Sequence, residues 1–157
     1  MICGARKRAQ RGVTLVESLV ALVVLSIGML GIASLYIAAL KAGRSALVRT
    51  QAVNLASDLA DRIRANRGGL NAYDTSTYST EPSPQGCKVN TCTAEQIAQD
   101  DLALWLQTLR TVMPGGTEGT VEFQDLPGTA PNRYTIRVSW RESGEDEDSS
   151  TELVVEL

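Results

Sequence analysis

The chain has 157 residues, of which 43% are hydrophobic and 21% charged, and it holds 15 basic and 18 acidic residues but no His. Its net charge of −3 is unevenly spread: residues 1–12 carry Arg6, Lys7, Arg8 and Arg11 without an acid, and everything after Gly12 carries 11 basic and 18 acidic residues. An acidic body of this kind excludes nucleic acid as the expected partner, and its size leaves room for one small core.

From Ser18 to Leu40 the chain runs for 23 residues without Asp, Glu, Lys or Arg. As a helix rising about 1.5 Å per residue, such a run crosses the roughly 30 Å hydrocarbon core of a bilayer. The four positive charges ahead of it place the N-terminus in the cytoplasm and send the rest of the chain across the membrane, into the periplasm or the exterior. A secretory signal has a shorter apolar core followed by small residues; here Gly28, Gly31 and Ala33 lie inside the run. The change of character comes at Gly12, where a polar leader meets Val13, and cleavage there would keep the helix. Glu17 stands at the mouth of the run. A carboxylate costs roughly 2.5–3.5 kcal/mol near the centre of a spanning helix, so Glu17 either finds an opposite charge or stays at headgroup level beside the positive helix end.

A basic leader ending in Gly12, then Val-Thr-Leu-Val-Glu, then a long apolar run, resembles the class III signal shared by type IV pilins and type II secretion pseudopilins. The resemblance implies that a prepilin peptidase cuts after Gly12 and methylates the new N-terminus at Val13, where the family usually has Phe. It also makes Glu17 the acid that meets the N-terminal amine of a neighbouring subunit.

The helical pattern continues past Leu40, with Leu47, Val48, Leu55, Leu59 and Ile63 on one stripe and Ala52, Ala56 and Ala60 beside it. One helix from Thr14 to Asn66 is the simplest reading, ending at the stop signal Gly68-Gly69. Residues 69–92 are rich in Ser, Thr, Asn, Gly and Pro and read as a loop. Within it, Cys87 and Cys92 are either a disulfide, which an oxidising compartment favours, or two free thiols. A metal site is weaker, without His or a second cysteine pair, and Cys3 has no apolar segment before it that would mark a lipoprotein.

Thr93 and Gln96 form a capping-box pattern that opens a second helix, with Ile97, Leu102, Leu104, Trp105, Leu106, Leu109 and Met113 for its apolar face and Pro114-Gly115-Gly116 to end it. Three alternating stretches, GTVEFQDL, RYTIRVSW and STELVVEL, read as strands, joined by turns at PGTAPN and SGEDEDSS. The expected class is α+β: a long N-terminal helix, transmembrane then amphipathic, packed on a small antiparallel sheet with a second helix. The resulting division is a removed leader at 1–12, a transmembrane half-helix at 13–40, an amphipathic half at 41–67 and a globular head at 68–157.

No catalytic constellation is present, since there is no His, no GxSxG, no Walker loop and no Cys with a base partner, so neither enzyme activity nor a cofactor is expected. The acidic stretch Glu142 to Asp148 lacks the spacing of a calcium loop and reads as a solvated turn. Asp100 and Asp101 read as charges on the exposed face of the second helix, and Trp105 and Trp140 as core.

Asp61-Arg62 at a helix end, Cys87 and Cys92 ahead of Thr-Ala-Glu-Gln, and Asp101, Trp105 and Leu109 on a following helix resemble, in this order, the minor-pilin family called type IV pilus modification protein PilV. That resemblance implies a low-abundance subunit of an inner-membrane priming complex that starts pilus assembly and sits at the pilus tip. Its partners would be other minor pilins, the major pilin, prepilin peptidase, the inner-membrane assembly platform and a tip adhesin. Other readings of the same chain are a type II secretion pseudopilin and a signal-anchored periplasmic enzyme or binding domain.

Overall fold

The computed structural model describes residue 12 and residues 14–127, 131–142 and 147–157. The basic leader with Cys3, the expected cleavage product's first residue Val13, and parts of both strand-connecting turns lie outside the described residues. The chain divides into two compact units, Met1–Gly43 and Arg44–Leu157.

Helix α1 covers Leu15–Ala65, within one residue of the expected span at either end. In the first unit it is apolar and its side chains are open to the surroundings; Ser26 and Ser34 turn their hydroxyls back to the carbonyls of Leu22 and Gly31, at 2.7 and 2.8 Å. Back-bonding of this kind gives each of these two hydroxyls a partner in an apolar setting.

In the second unit the residues of α1 that enter the core are Val48, Ala52, Ala56, Leu59, Ala60 and Ile63. The stripe is therefore shifted from the expected one: Leu47 is 59% exposed, Leu55 only partly buried, and the alanines form its centre. Small residues there let the neighbouring elements approach closely, and the Trp105 indole N–H reaches the Leu55 carbonyl at 2.9 Å.

Helix α2, Ala94–Val112, starts at Thr93, whose side chain accepts from the Gln96 backbone N–H while the Gln96 side chain accepts from that of Thr93. Its buried residues include Ala98, Leu102, Trp105 and Leu109, followed by Met113; Ile97, Leu104 and Leu106 are only half-buried. Strands β1 (Glu118–Gln124), β2 (Arg133–Arg141) and β3 (Asp148–Glu156) form an antiparallel sheet in the order β1-β2-β3. Tyr134, Ile136, Val138 and Trp140 of β2, with Val121 and Val155, face the core. Trp105 and Trp140 are both core residues, as their positions in the apolar pattern indicate.

The segment between the helices is more structured than a loop. It holds two 3-10 stretches, Arg67–Tyr73 and Thr75–Thr77, and Tyr73 is fully buried. Gly68-Gly69 is not a left-handed helix stop. The positive φ falls on Leu70, at 40°, and Gly69 is needed for proximity, since a Cβ there would lie 2.6 Å from the Tyr73 ring.

Candidate assembly site

Thr14 caps α1: its hydroxyl accepts from the Glu17 N–H at 3.3 Å and its carbonyl from the Ser18 N–H at 3.2 Å. Glu17 thus occupies the third helical position, where a negative charge faces the positive helix end. Its side chain is exposed, and none of the ion pairs among the described residues includes it. The backbone cap is supplied by the Thr14 hydroxyl, so the carboxylate is left available to a charge from elsewhere. Beyond it, an apolar window of mean hydropathy 2.4 has none of its residues buried, so the helix is long and apolar enough to cross a membrane. Gly12 is described and exposed; its expected partner in cleavage, Val13, is not among the described residues.

In the head, the end of α1 meets α2 through a polar network. The Arg62 guanidinium donates to Asp58 at 2.9 Å and to Asp101 at 3.1 Å, and the Tyr73 hydroxyl donates to the other oxygen of Asp101 at 2.8 Å. Asn66 adds donors to the Ala94 carbonyl at 2.7 Å and to the Tyr73 oxygen at 3.2 Å. Burial works to lower the Arg62 pKa, but hydrogen bonds with Asp101 and Asp58 outweigh it and hold the group above its ordinary value. Burial also pushes the Tyr73 phenol well above its ordinary range; Asn66 acts against this and Asp101 adds to it.

Asp100 and Asp101 correct the expectation of two solvated charges. Asp100 is buried and accepts the backbone N–H groups of Gln85 at 2.6 Å and Gly86 at 2.9 Å, while Asp101 serves Arg62 and Tyr73. Apolar periodicity alone could not separate them from surface acids, because it carries no information about the loop that folds over the helix. Asp74 and Thr75 were likewise hidden in a stretch that reads as a loop. Asp74 accepts from Ser76 and Phe123 N–H, and Thr75 bridges to the backbone of Val121. Their one sequence signal is the Asp-Thr-Ser run, which suits a side chain bonding the backbone two residues on.

Cys87 and Cys92 are joined as a disulfide with their Cα atoms 5.7 Å apart. Of the acidic turn, Glu142 accepts from the Ser45 hydroxyl at 2.8 Å and Asp148 pairs with Arg141 at 2.8 Å. Glu145 and Asp146 lie outside the described residues. Asp61, the other member of the Asp61-Arg62 pair in the resemblance, pairs with Arg64 on the surface at 2.8 Å.

A long N-terminal helix, apolar and open in its first part and packed in its second part with a short helix and a three-stranded antiparallel sheet, is a pilin fold. Residues 34–103 match the family described as Type IV pilin Tt1218, and residues 7–33 match the prokaryotic N-terminal methylation motif. The two matches support a type IV pilin with a prepilin signal; the pilin family is structural, and membership implies processing by prepilin peptidase and assembly with other pilins. No curated protein and no solved structure matched the chain in the corresponding comparisons.

Proposed function

We propose that this chain is a minor pilin of the type IV pilus modification kind, which helps form the inner-membrane priming complex and then sits at the pilus tip. The observation that carries the finer reading is the α1–α2 contact. Arg62, Asp101 and Trp105, residues on which the resemblance to that family rests, are used together there, Arg62 with Asp101 and Trp105 with the Leu55 carbonyl. In this reading residues 1–12 are removed, residues 13–40 anchor the chain and later join the filament core, and the head lies in the periplasm before assembly. Methylated Val13 supplies a secondary amine that stays protonated, and Glu17 supplies the opposite charge to a neighbour's amine. In hydrocarbon an unpaired carboxylate is costly, so a pair between subunits favours the assembled register.

Mass spectrometry of the chain recovered from membranes tests the first step: the mature form is expected to begin at N-methylated Val13, and one beginning at Met1 overturns the reading. Glu17→Ala is then expected to insert and be cut normally but to fall out of the complex recovered with the other minor pilins. Normal incorporation of that variant would refute the charge pair. Loss of surface pili on deletion of the gene supports the pilus role, whereas loss of protein secretion with pili intact assigns the chain to a secretion pseudopilus.

A further inference from the structure

The sheet has two outer edges, and the fold treats them differently. On β1 the outward backbone groups at the strand's centre are occupied: the Thr75 hydroxyl donates to the Val121 carbonyl at 3.1 Å and accepts its N–H at 3.0 Å, and Asp74 accepts the Phe123 N–H at 3.1 Å. On β3 the phase is set by Asn132 and Leu157, which exchange two backbone hydrogen bonds at 2.9 Å. Antiparallel alternation then turns the backbone groups of Ser149, Thr151, Leu153 and Val155 toward β2, and those of Asp148, Ser150, Glu152, Val154 and Glu156 away from it. Among the described residues, no hydrogen bond outside the ladder reaches the backbone of these five. The strand runs for nine residues in unbroken register, without Pro, Gly or a bulge, and the charges it does carry are all acidic, Asp148, Glu152 and Glu156, so the edge is closed to acidic strands and open to basic ones.

Charge on the solvent face indicates what would pair there. The face carries Glu118 and Glu122 on β1, then Arg133, Arg137 and Arg141 on β2, then Asp148, Glu152 and Glu156 on β3. Each arginine is ion-paired to its β3 partner: Arg133 with Glu156, Arg137 with Glu152 and Arg141 with Asp148. Columns of negative, positive and negative charge call for a positive column next. A second copy of this chain pairing β3 on β3 would set acid against acid, which cross-strand pairing disfavours.

We propose that the outer edge of β3 accepts an extended segment of a partner protein as a fourth strand, with Arg or Lys at every fourth position on the solvent face. Main-chain hydrogen bonds to Ser150, Glu152 and Val154 would supply the binding and the acids the selectivity. The inference stands on the sheet alone and survives failure of the assembly reading.

The test uses the full chain in detergent micelles and a labelled synthetic peptide of alternating Val and Thr with Arg at every fourth residue. Binding is expected to saturate, to weaken with salt, and to slow hydrogen exchange of the Ser150, Glu152 and Val154 amides. A peptide with Glu in place of Arg is expected to bind at least about tenfold more weakly, because like charges then face each other. Val154→Pro removes one outward N–H without touching the β2 ladder and is expected to weaken binding. Glu152→Lys is expected to shift preference toward the Glu peptide. The proposal is overturned by absence of binding or of exchange protection, by equal binding of the two peptides, by unchanged binding in both variants, or by self-association of the chain through this edge.

Discussion

Gly119 shows how much of the head's packing depends on a single missing methyl group. It lies on β1, and a Cβ there would come within 2.5 Å of Leu109 and 2.6 Å of the Trp105 ring, both core residues held by their own neighbours. Gly119→Ala is therefore expected to destabilise the head by about 1–3 kcal/mol, the usual range for overpacking. Gly115→Ala, with no atom within 4 Å of the added carbon, is expected to be nearly neutral. Denaturant unfolding of the two variants side by side checks the contrast, and equal midpoints would contradict it. Tyr73 carries a second expectation at this scale. Its phenol is pushed above the ordinary value of 10.0 by burial, so the folded chain holds this proton more tightly than the unfolded chain does. Its contribution to stability is whole below the unfolded value and is lost as pH rises through and beyond about 10. Stability is expected to fall over that alkaline range, and Tyr73→Phe to make the fall shallower while losing the hydrogen bond to Asp101, worth about 1–3 kcal/mol to a charged acceptor. An unchanged alkaline slope in that variant would remove Tyr73 as the source.

At the scale of elements, the disulfide and Asp100 act on the same short segment from opposite ends. Cys87 and Cys92 close a small loop, and Asp100 on α2 holds the Gln85 and Gly86 N–H groups at its entrance. Closing so few residues removes little chain entropy, so Cys87→Ser is expected to cost no more than about 2 kcal/mol. Asp100→Ala leaves two backbone donors without their acceptor and is expected to cost at least as much, with faster hydrogen exchange at Gln85 and Gly86. Stability unaltered by reducing agent would argue against the disulfide contribution. The two helices and three strands were legible because each carries a period, 3.6 or 2, and explicit ends such as the Thr93 box. The 3-10 stretches were not, because they are too short to show a period and gain their order from contacts distant in sequence, as when Thr75 bonds Val121. The same cause hid Asp100 and Asp101, whose partners come from the connecting segment.

For the whole molecule, the apolar half of α1 and the folded head obey different requirements. Among the described residues, every member of the buried core lies at Val48 or later, and the compact second unit begins at Arg44. The membrane half could be read from the sequence because it needs only length, apolarity and the absence of charge. The register of α1 on the head could not, since alanine and leucine stripes lie side by side and the choice between them depends on what packs there, Trp105 and the rest of the core, which is distant in sequence. The expectation is that residues 44–157 suffice for the head's fold. A chain starting at Arg44 is expected to be soluble without detergent and to unfold in one cooperative transition, because it keeps the whole apolar cluster together with the Arg62, Tyr73 and Asp101 network. Its near-ultraviolet circular dichroism reports the environments of Trp105 and Trp140, both buried beneath the sheet and helices. A native-like signal lost in a single step with heat is the expected result. A chain without tertiary signal, or one that gains it only in micelles, would show that the apolar half of α1 contributes to the head's stability beyond anchoring it.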